Sequence, residues 1–213
     1  MAIDVKICGL STPQAVSAAV KGGAACVGFV FFAASPRVVS PDVLKMLSAP
    51  VPAGITRTGL FVDASFDEID AAVATGCLDM LQLHGSESPG QVAQIKERFG
   101  LPVMKTIAIA SAEDITTARL YEITADRLLF DAKPPVGASR PGGNAIAFDW
   151  QLIADQEWLL PWMLAGGLNV ANLAEAVATS GASAVDLSSG VEDAPGVKNP
   201  EKIKQLLALA ETL

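Results

Sequence analysis

Four side chains able to move protons stand at the ends of short apolar runs: Cys8 in VKICGL, His84 in LQLHG, Asp131 in LLFDAK and Asp186 in AVDLSSG. A thiolate can act as a base, a carboxylic acid can donate a proton, and an imidazole can do either near neutral pH. Strand side chains alternate faces with period two. Lys6 and Cys8 therefore share one face of their run, opposite Val5 and Ile7. Gln82 and His84 share one face of theirs, opposite Leu81 and Leu83. Lys105 adds a further charge to a fifth run. Each residue also has a structural reading. Cysteine packs as a small hydrophobe, a histidine beside a glycine is commonly hydrogen-bonded or half-exposed, and a strand-terminal aspartate can cap the next helix. Their common position at run ends is what favours chemistry. Cys26 and Cys77 lack it and read as structural. The chain has one histidine and no CxxC, which excludes sites needing several imidazoles, zinc ribbons and redox pairs. No metal is expected.

Two glycine-rich turns form a second constellation. Gly166 and Gly167 lie in AGGLN, and Ser188, Ser189 and Gly190 lie in LSSGVE. Small residues let backbone N–H groups converge on a phosphate, with a short helix start adding its dipole. Arg37, in AASPRVVS, is a third feature, able to hold a carboxylate through two parallel hydrogen bonds.

These residues need a frame, and the chain supplies eight repeats of an apolar run followed by a helix-period segment. Ser11 or Thr12 caps the first helix, Ser40 with Pro41 starts the second, and Ser65 with Glu68 forms a capping box on the third. Gly100 stops the fourth, and DWQLIAD is expected as the sixth. Strands alternating with helices imply a parallel sheet with right-handed crossovers. Eight units predict an α/β fold, a (β/α)8 TIM barrel forming one domain over residues 1–213, near the lower size limit of that fold. An open doubly wound sheet is disfavoured, because CGLSTP rather than GxGxxG follows the first run. Sites in such barrels lie at the C-terminal ends of the strands, and the loops after strands seven and eight commonly bind phosphate. That is where Cys8, His84, Asp131, Asp186 and the two turns fall. The irregular stretch AKPPVGASRPGGNAIAF is expected to be a mobile active-site loop.

Composition narrows the partners. Hydrophobic residues make up 51% and the net charge is −8. A large core is accessible, and an acidic chain with scattered lysines argues against nucleic acid and anionic membranes. No run reaches the roughly 18 apolar residues of a transmembrane helix. MAIDVKICG does not read as a signal peptide, so a cytoplasmic location is expected. A monomer and a homodimer are equally compatible with the sequence.

The stretches VKICGL, GFVFFAASPRVVS, GLFVD, LQLHG, LLFDAK, FDW, LAGGLN and AVDLSSGVEDAPGVKN, from residue 5 to residue 199, resemble the phosphoribosylanthranilate isomerase family of tryptophan biosynthesis. The resemblance implies a ribulose-phosphate-binding barrel that uses no cofactor and takes a small phosphosugar. It implies an Amadori rearrangement of N-(5-phosphoribosyl)anthranilate. Cys8 is then the base, Asp131 the acid and Arg37 the clamp on the anthranilate carboxylate. His84 and Asp186 are expected among the substrate-binding groups, with Gly166, Gly167, Ser188, Ser189 and Gly190 as the phosphate cradle. Strands one and eight adjoin in a closed barrel, so Lys6 is expected to pair with Asp186. Lys133 is a candidate charge beside Asp131. One departure stands out: Asn144 and Ala145 replace the small hydroxyl residue and second glycine expected before FDW. Indole-glycerol-phosphate synthase would want a lysine–glutamate pair, and a ribulose-phosphate epimerase a metal. A silent phosphometabolite-binding barrel would not need Cys8 and Asp131 together.

Overall fold

The structure, a computed structural model, describes residues 2–133, 142, 147–154 and 156–213. Eight parallel strands close into a barrel in sequence order: β1 Asp4–Cys8, β2 Cys26–Val30, β3 Thr56–Phe61, β4 Met80–Leu83, β5 Val103–Ile109, β6 Arg127–Ala132, β7 Trp162–Leu164 and β8 Ala184–Leu187. Pairing of β8 with β1 shuts the ring and sets Lys6 beside Asp186. Around it run α1 Pro13–Lys21, α2 Pro41–Ser48, α3 Phe66–Val73, α4 Pro89–Phe99, α5 Ala112–Arg119, α6 Leu173–Ser180 and α7 Pro200–Ala210. Thr12 rather than Ser11 caps α1. Ser40 caps α2, and the Ser65–Glu68 box forms as expected. Gly100 ends α4 in the left-handed conformation, at φ 64°. No helix among the described residues is long and apolar enough to cross a membrane.

The apolar residues divide by face. Val5, Ile7, Leu81 and Leu83 point outward and pack beneath the helices in the main core. Met104, Leu129, Met163, Ala165 and Ala184 fill part of the lumen. A barrel interior is packed rather than hollow, and this plug leaves the catalytic end open.

Two expectations change. DWQLIAD forms a single 3-10 turn over Trp150–Leu152, held by Asp149 accepting from the Gln151 amide at 3.1 Å. So short a segment gains too few backbone bonds to offset helix nucleation, and its partly buried Trp150 and Leu152 dock on the core from one turn. Beyond β8 the chain adds an antiparallel hairpin that the repeat pattern does not announce, β9 Glu192–Ala194 with β10 Val197–Lys198. Residues 134–141 and 143–146, including the expected loop contacts of Gly143, Asn144 and Ala145, lie outside the described residues.

Candidate active site

The C-terminal ends of the strands surround a cavity of about 690 Å³, counted to its open mouth. Cys8, Arg37, His84, Asp131, Gly166, Gly167, Asp186, Ser188 and Ser189 all line it. Nine of the ten expected site residues therefore meet in one place. Gly190 stands behind the wall. A Cβ there would land on the Leu168 carbonyl oxygen, so its bare backbone lets the β8 turn pack against the β7 turn. The short helix start expected at this turn is a three-residue 3-10 turn, Ser189–Val191. Val30, Phe32, Leu60 and Val62 add an apolar wall.

At the floor, Lys6 Nζ donates to Asp186 Oδ1 at 2.8 Å, with the lysine fully buried. Burial alone would lower the Lys6 pKa, but the Asp186 charge and the neighbouring thiols lift it above the ordinary lysine value. Lys6 is thus a fixed cation whose charge acts on Cys8. Burial pushes the Cys8 thiol up, and Lys6 pulls it partly back. Gly28 makes room for this pair: a Cβ there would stand 3.0 Å from Cys8 Sγ and 3.2 Å from Lys6 Nζ. Cys26 keeps its structural reading. Its thiol, 3.1 Å from Thr58 Oγ1, is pushed up to about 11 by burial.

Across the cavity wall, His84 Nε2 lies 3.2 Å from Asp131 Oδ2. Gln82 Nε2 sits 3.3 Å from His84 Nδ1 and donates to Thr106 Oγ1 at 3.1 Å. Asp131 Oδ1 accepts the Ala132 N–H at 2.8 Å. Two glycines crowd this carboxyl. A Cβ at Gly142 would lie 2.6 Å from His84 Nε2 and 2.8 Å from Asp131 Oδ2, and one at Gly166 would lie 3.2 Å from Asp131 Oδ1. Lys133, the sequence candidate for Asp131, instead pairs with Asp114 at 3.3 Å. Lys105 also departs from expectation. Its neighbours Met104 and Thr106 face the lumen, so Lys105 faces outward, bound to Glu87 at 2.8 Å and to the Leu83 and Gly85 carbonyls.

Arg37 is not the solvated rim arginine that its loop suggests. It is 4% exposed, and its Nε and Nη2 donate to the two oxygens of Glu192, both at 2.7 Å. The fork that could clamp a ligand carboxylate along that edge is already engaged, which leaves the rest of the guanidinium for the cavity. Glu192 Oε1 also accepts from Lys198 Nζ at 2.6 Å, and Lys198 reaches the Ser188 carbonyl at 2.8 Å and its hydroxyl at 3.1 Å. Burial alone would raise the Glu192 carboxyl, but Arg37 and Lys198 hold it below the ordinary range. Sequence reasoning missed Glu192 and Lys198. Both lie in AVDLSSGVEDAPGVKN, but they reach Arg37 and Ser188 only because the hairpin folds back, and residue spacing carries no sign of that.

A closed parallel barrel with a thiol, a carboxyl and two small-residue turns at its C-terminal rim defines the class, a TIM-barrel enzyme. Comparison with known proteins narrows it. The sequence model for N-(5'-phosphoribosyl)anthranilate isomerase matches residues 5–208. Proteins of that name from Paramagnetospirillum magneticum and Cereibacter sphaeroides are 50% and 52% identical. The first match covers 99% of this chain and 98% of the relative, and the second covers 98% of each. The Thermotoga maritima isomerase structure superposes with a TM-score of 0.88 at 33% identity, over 99% of this chain and 100% of that one. A second isomerase structure, solved with reduced 1-(o-carboxyphenylamino)-1-deoxyribulose 5-phosphate, gives a TM-score of 0.83 at 31% identity with the same coverage. The chain belongs to the N-(5'-phosphoribosyl)anthranilate isomerase family.

Proposed function

We propose that Cys8 and Asp131 are the base and the acid with which this isomerase carries out the Amadori rearrangement of N-(5-phosphoribosyl)anthranilate to 1-(2-carboxyphenylamino)-1-deoxyribulose 5-phosphate. The observation that carries the reading is the meeting of one thiol and one carboxyl on a single cavity that also holds Arg37 and the two small-residue turns. Protonated Asp131 gives its proton to the furanose ring oxygen, the C1–O bond breaks, and a Schiff base forms. The Cys8 thiolate then takes the proton from sugar C2, leaving an enolamine that becomes the ketone as C1 gains a proton and the C2 hydroxyl gives up its own. The two groups must be in the opposite ionic states to their ordinary ones, thiolate with carboxylic acid. That form holds the same number of protons as thiol with carboxylate, so it is reached by redistribution rather than by titration. The Lys6 charge beside Cys8 favours the thiolate. His84 Nε2, 3.2 Å from Asp131 Oδ2, holds that carboxyl in position.

Substrate binding follows from the remaining lining. Arg37 faces the anthranilate carboxylate, the apolar wall of Val30, Phe32, Leu60 and Val62 takes the ring, and Gly166, Gly167, Ser188 and Ser189 receive the phosphate. Gly190 supports that turn from behind, and Asp186 acts by holding Lys6. The test is turnover of substrate generated in situ, followed by loss of its fluorescence. Cys8→Ser and Asp131→Asn should each lose about 10²-fold or more in kcat, the usual scale of general acid–base roles. A near-wild-type rate in either variant removes that residue from the mechanism.

A further inference from the structure

We propose that Glu192 is a positioning residue shared by both anion-binding ends of the site, fixing Arg37 at the carboxylate end and, through Lys198, Ser188 at the phosphate end. The inference rests on the functional reading above for the assignment of those two ends. All four in-plane acceptor positions of the Glu192 carboxylate are used. Oε1 accepts from Arg37 Nε at 2.7 Å and Lys198 Nζ at 2.6 Å, and Oε2 from Arg37 Nη2 at 2.7 Å and the Gly196 amide at 3.2 Å. Lys198 spends its other bonds on the Ser188 carbonyl and hydroxyl. One side chain therefore ties the β2–α2 loop, which carries Arg37, to the β8 turn, which carries Ser188 and Ser189.

The backbone is shaped around this arrangement. Gly196 adopts φ +84°, and a Cβ there would stand 2.6 Å from the Pro36 carbonyl oxygen, so the hairpin closes directly on the residue before Arg37. Gly9 adopts φ +76°, and a Cβ there would overlap Arg37 Cδ. The Glu192 carbonyl is held in turn by Lys202 Nζ at 2.8 Å. Charge separates this network from an ordinary structural ion pair. Arg37 and Lys198 bring two basic groups to one carboxylate, with burial and Arg37 lowering the Lys198 pKa and Glu192 opposing them, so the cluster behind the cavity wall is positive rather than neutral. A cluster built only for stability would be expected to neutralise itself, because buried uncompensated charge is costly. An anionic guest completes the balance.

The test compares kcat/KM for the two glycosylamines formed by condensing ribose 5-phosphate with anthranilate and with aniline, which differ only in the carboxylate. It also measures competitive inhibition by inorganic phosphate. Arg37→Ala should collapse the anthranilate preference. Glu192→Gln should lower it roughly tenfold, the scale of one weakened charged hydrogen bond, and should raise the phosphate inhibition constant. Adding Glu192→Gln to Arg37→Ala should change the preference no further, because the effect passes through Arg37. Lys198→Met should raise the phosphate inhibition constant and keep the anthranilate preference. Glu192→Asp keeps the charge but stops short of Arg37, and should reproduce the loss if the Gln variant does not fold. Collapse in Arg37→Ala with wild-type preference in the Glu192 variants overturns the positioning role, and so does an equal loss from Glu192→Gln in the Arg37→Ala background. An unchanged phosphate inhibition constant in Lys198→Met removes the phosphate half. An unchanged preference in Arg37→Ala would instead show that the carboxylate is held elsewhere, a failure of the underlying reading.

Discussion

Asp186→Asn keeps the shape of the side chain facing Lys6 and removes its charge. The ammonium, fully buried and 2.8 Å from its partner in the wild type, is left without a counter-ion in the barrel lumen. Breaking a buried pair this way costs about 3–5 kcal/mol. The lysine sets a ceiling of its own, because it can shed its proton. At about 1.4 kcal/mol per pH unit, and with an ordinary lysine pKa near 10.4, neutralising it costs about 4.6 kcal/mol at pH 7 and about 1.9 kcal/mol at pH 9. The destabilisation should therefore reach about 3–4.6 kcal/mol at pH 7 and fall to no more than about 1.9 kcal/mol at pH 9. For a chain of this size that corresponds to a fall in Tm of roughly 6–20 °C at neutral pH. The wild type has the opposite trend. Its Lys6 pKa is raised, so the pair's contribution is complete below about pH 10.4 and declines only above it. Urea unfolding of both proteins at pH 7 and pH 9 measures the difference. A loss under about 1 kcal/mol at pH 7, or one that does not shrink at pH 9, would refute the claim that Lys6 is a buried cation neutralised by Asp186.

Burial pushes the Cys8 thiol up, so its thiolate fraction should still be climbing beyond about pH 8.5, the ordinary cysteine value. Alkylation of Cys8 in the free enzyme, followed by mass spectrometry, should have its midpoint above that pH. The alkaline decline of kcat/KM should coincide with it, because losing the pair's last proton leaves Asp131 unable to act as acid. A midpoint below pH 8.5 contradicts the assignment of burial as the dominant cause. Gly9→Ala introduces a side chain at φ +76° against Arg37 Cδ. It should cost about 1–2 kcal/mol of stability and raise KM by displacing the arginine. Unchanged KM would mean Arg37 does not need that groove.

The barrel is legible because its signal is repeated. Eight apolar runs with helix-period segments between them admit few topologies, and the polar exceptions on lumen-facing positions single out Lys6, Cys8, Gln82 and His84. The Lys6–Asp186 pair follows from closure alone, since strands one and eight must meet. Lys105 escapes the same logic. It has the run's polar signature but sits on the opposite face, where Glu87 from the loop after β4 receives it, and a loop residue has no period to read. Arg37 and Glu192 are 155 residues apart and meet through a hairpin whose strands are three and two residues long. Such strands leave no alternation pattern to detect. The roles of Cys8 and Asp131 come from chemistry joined to family resemblance; position alone gives only a thiol and a carboxyl at one rim.

The division of labour between them is tested most directly by a deuterium label at sugar C2, with turnover of labelled and unlabelled substrate compared in the two variants. Removing the base makes C2–H cleavage the slow step, so Cys8→Ser should show a full primary isotope effect, several-fold in kcat. Removing the acid makes ring opening the slow step, which breaks no C2–H bond, so Asp131→Asn should show an effect close to unity. A large effect in Asp131→Asn together with none in Cys8→Ser would contradict the assignment of Cys8 as the base and Asp131 as the acid.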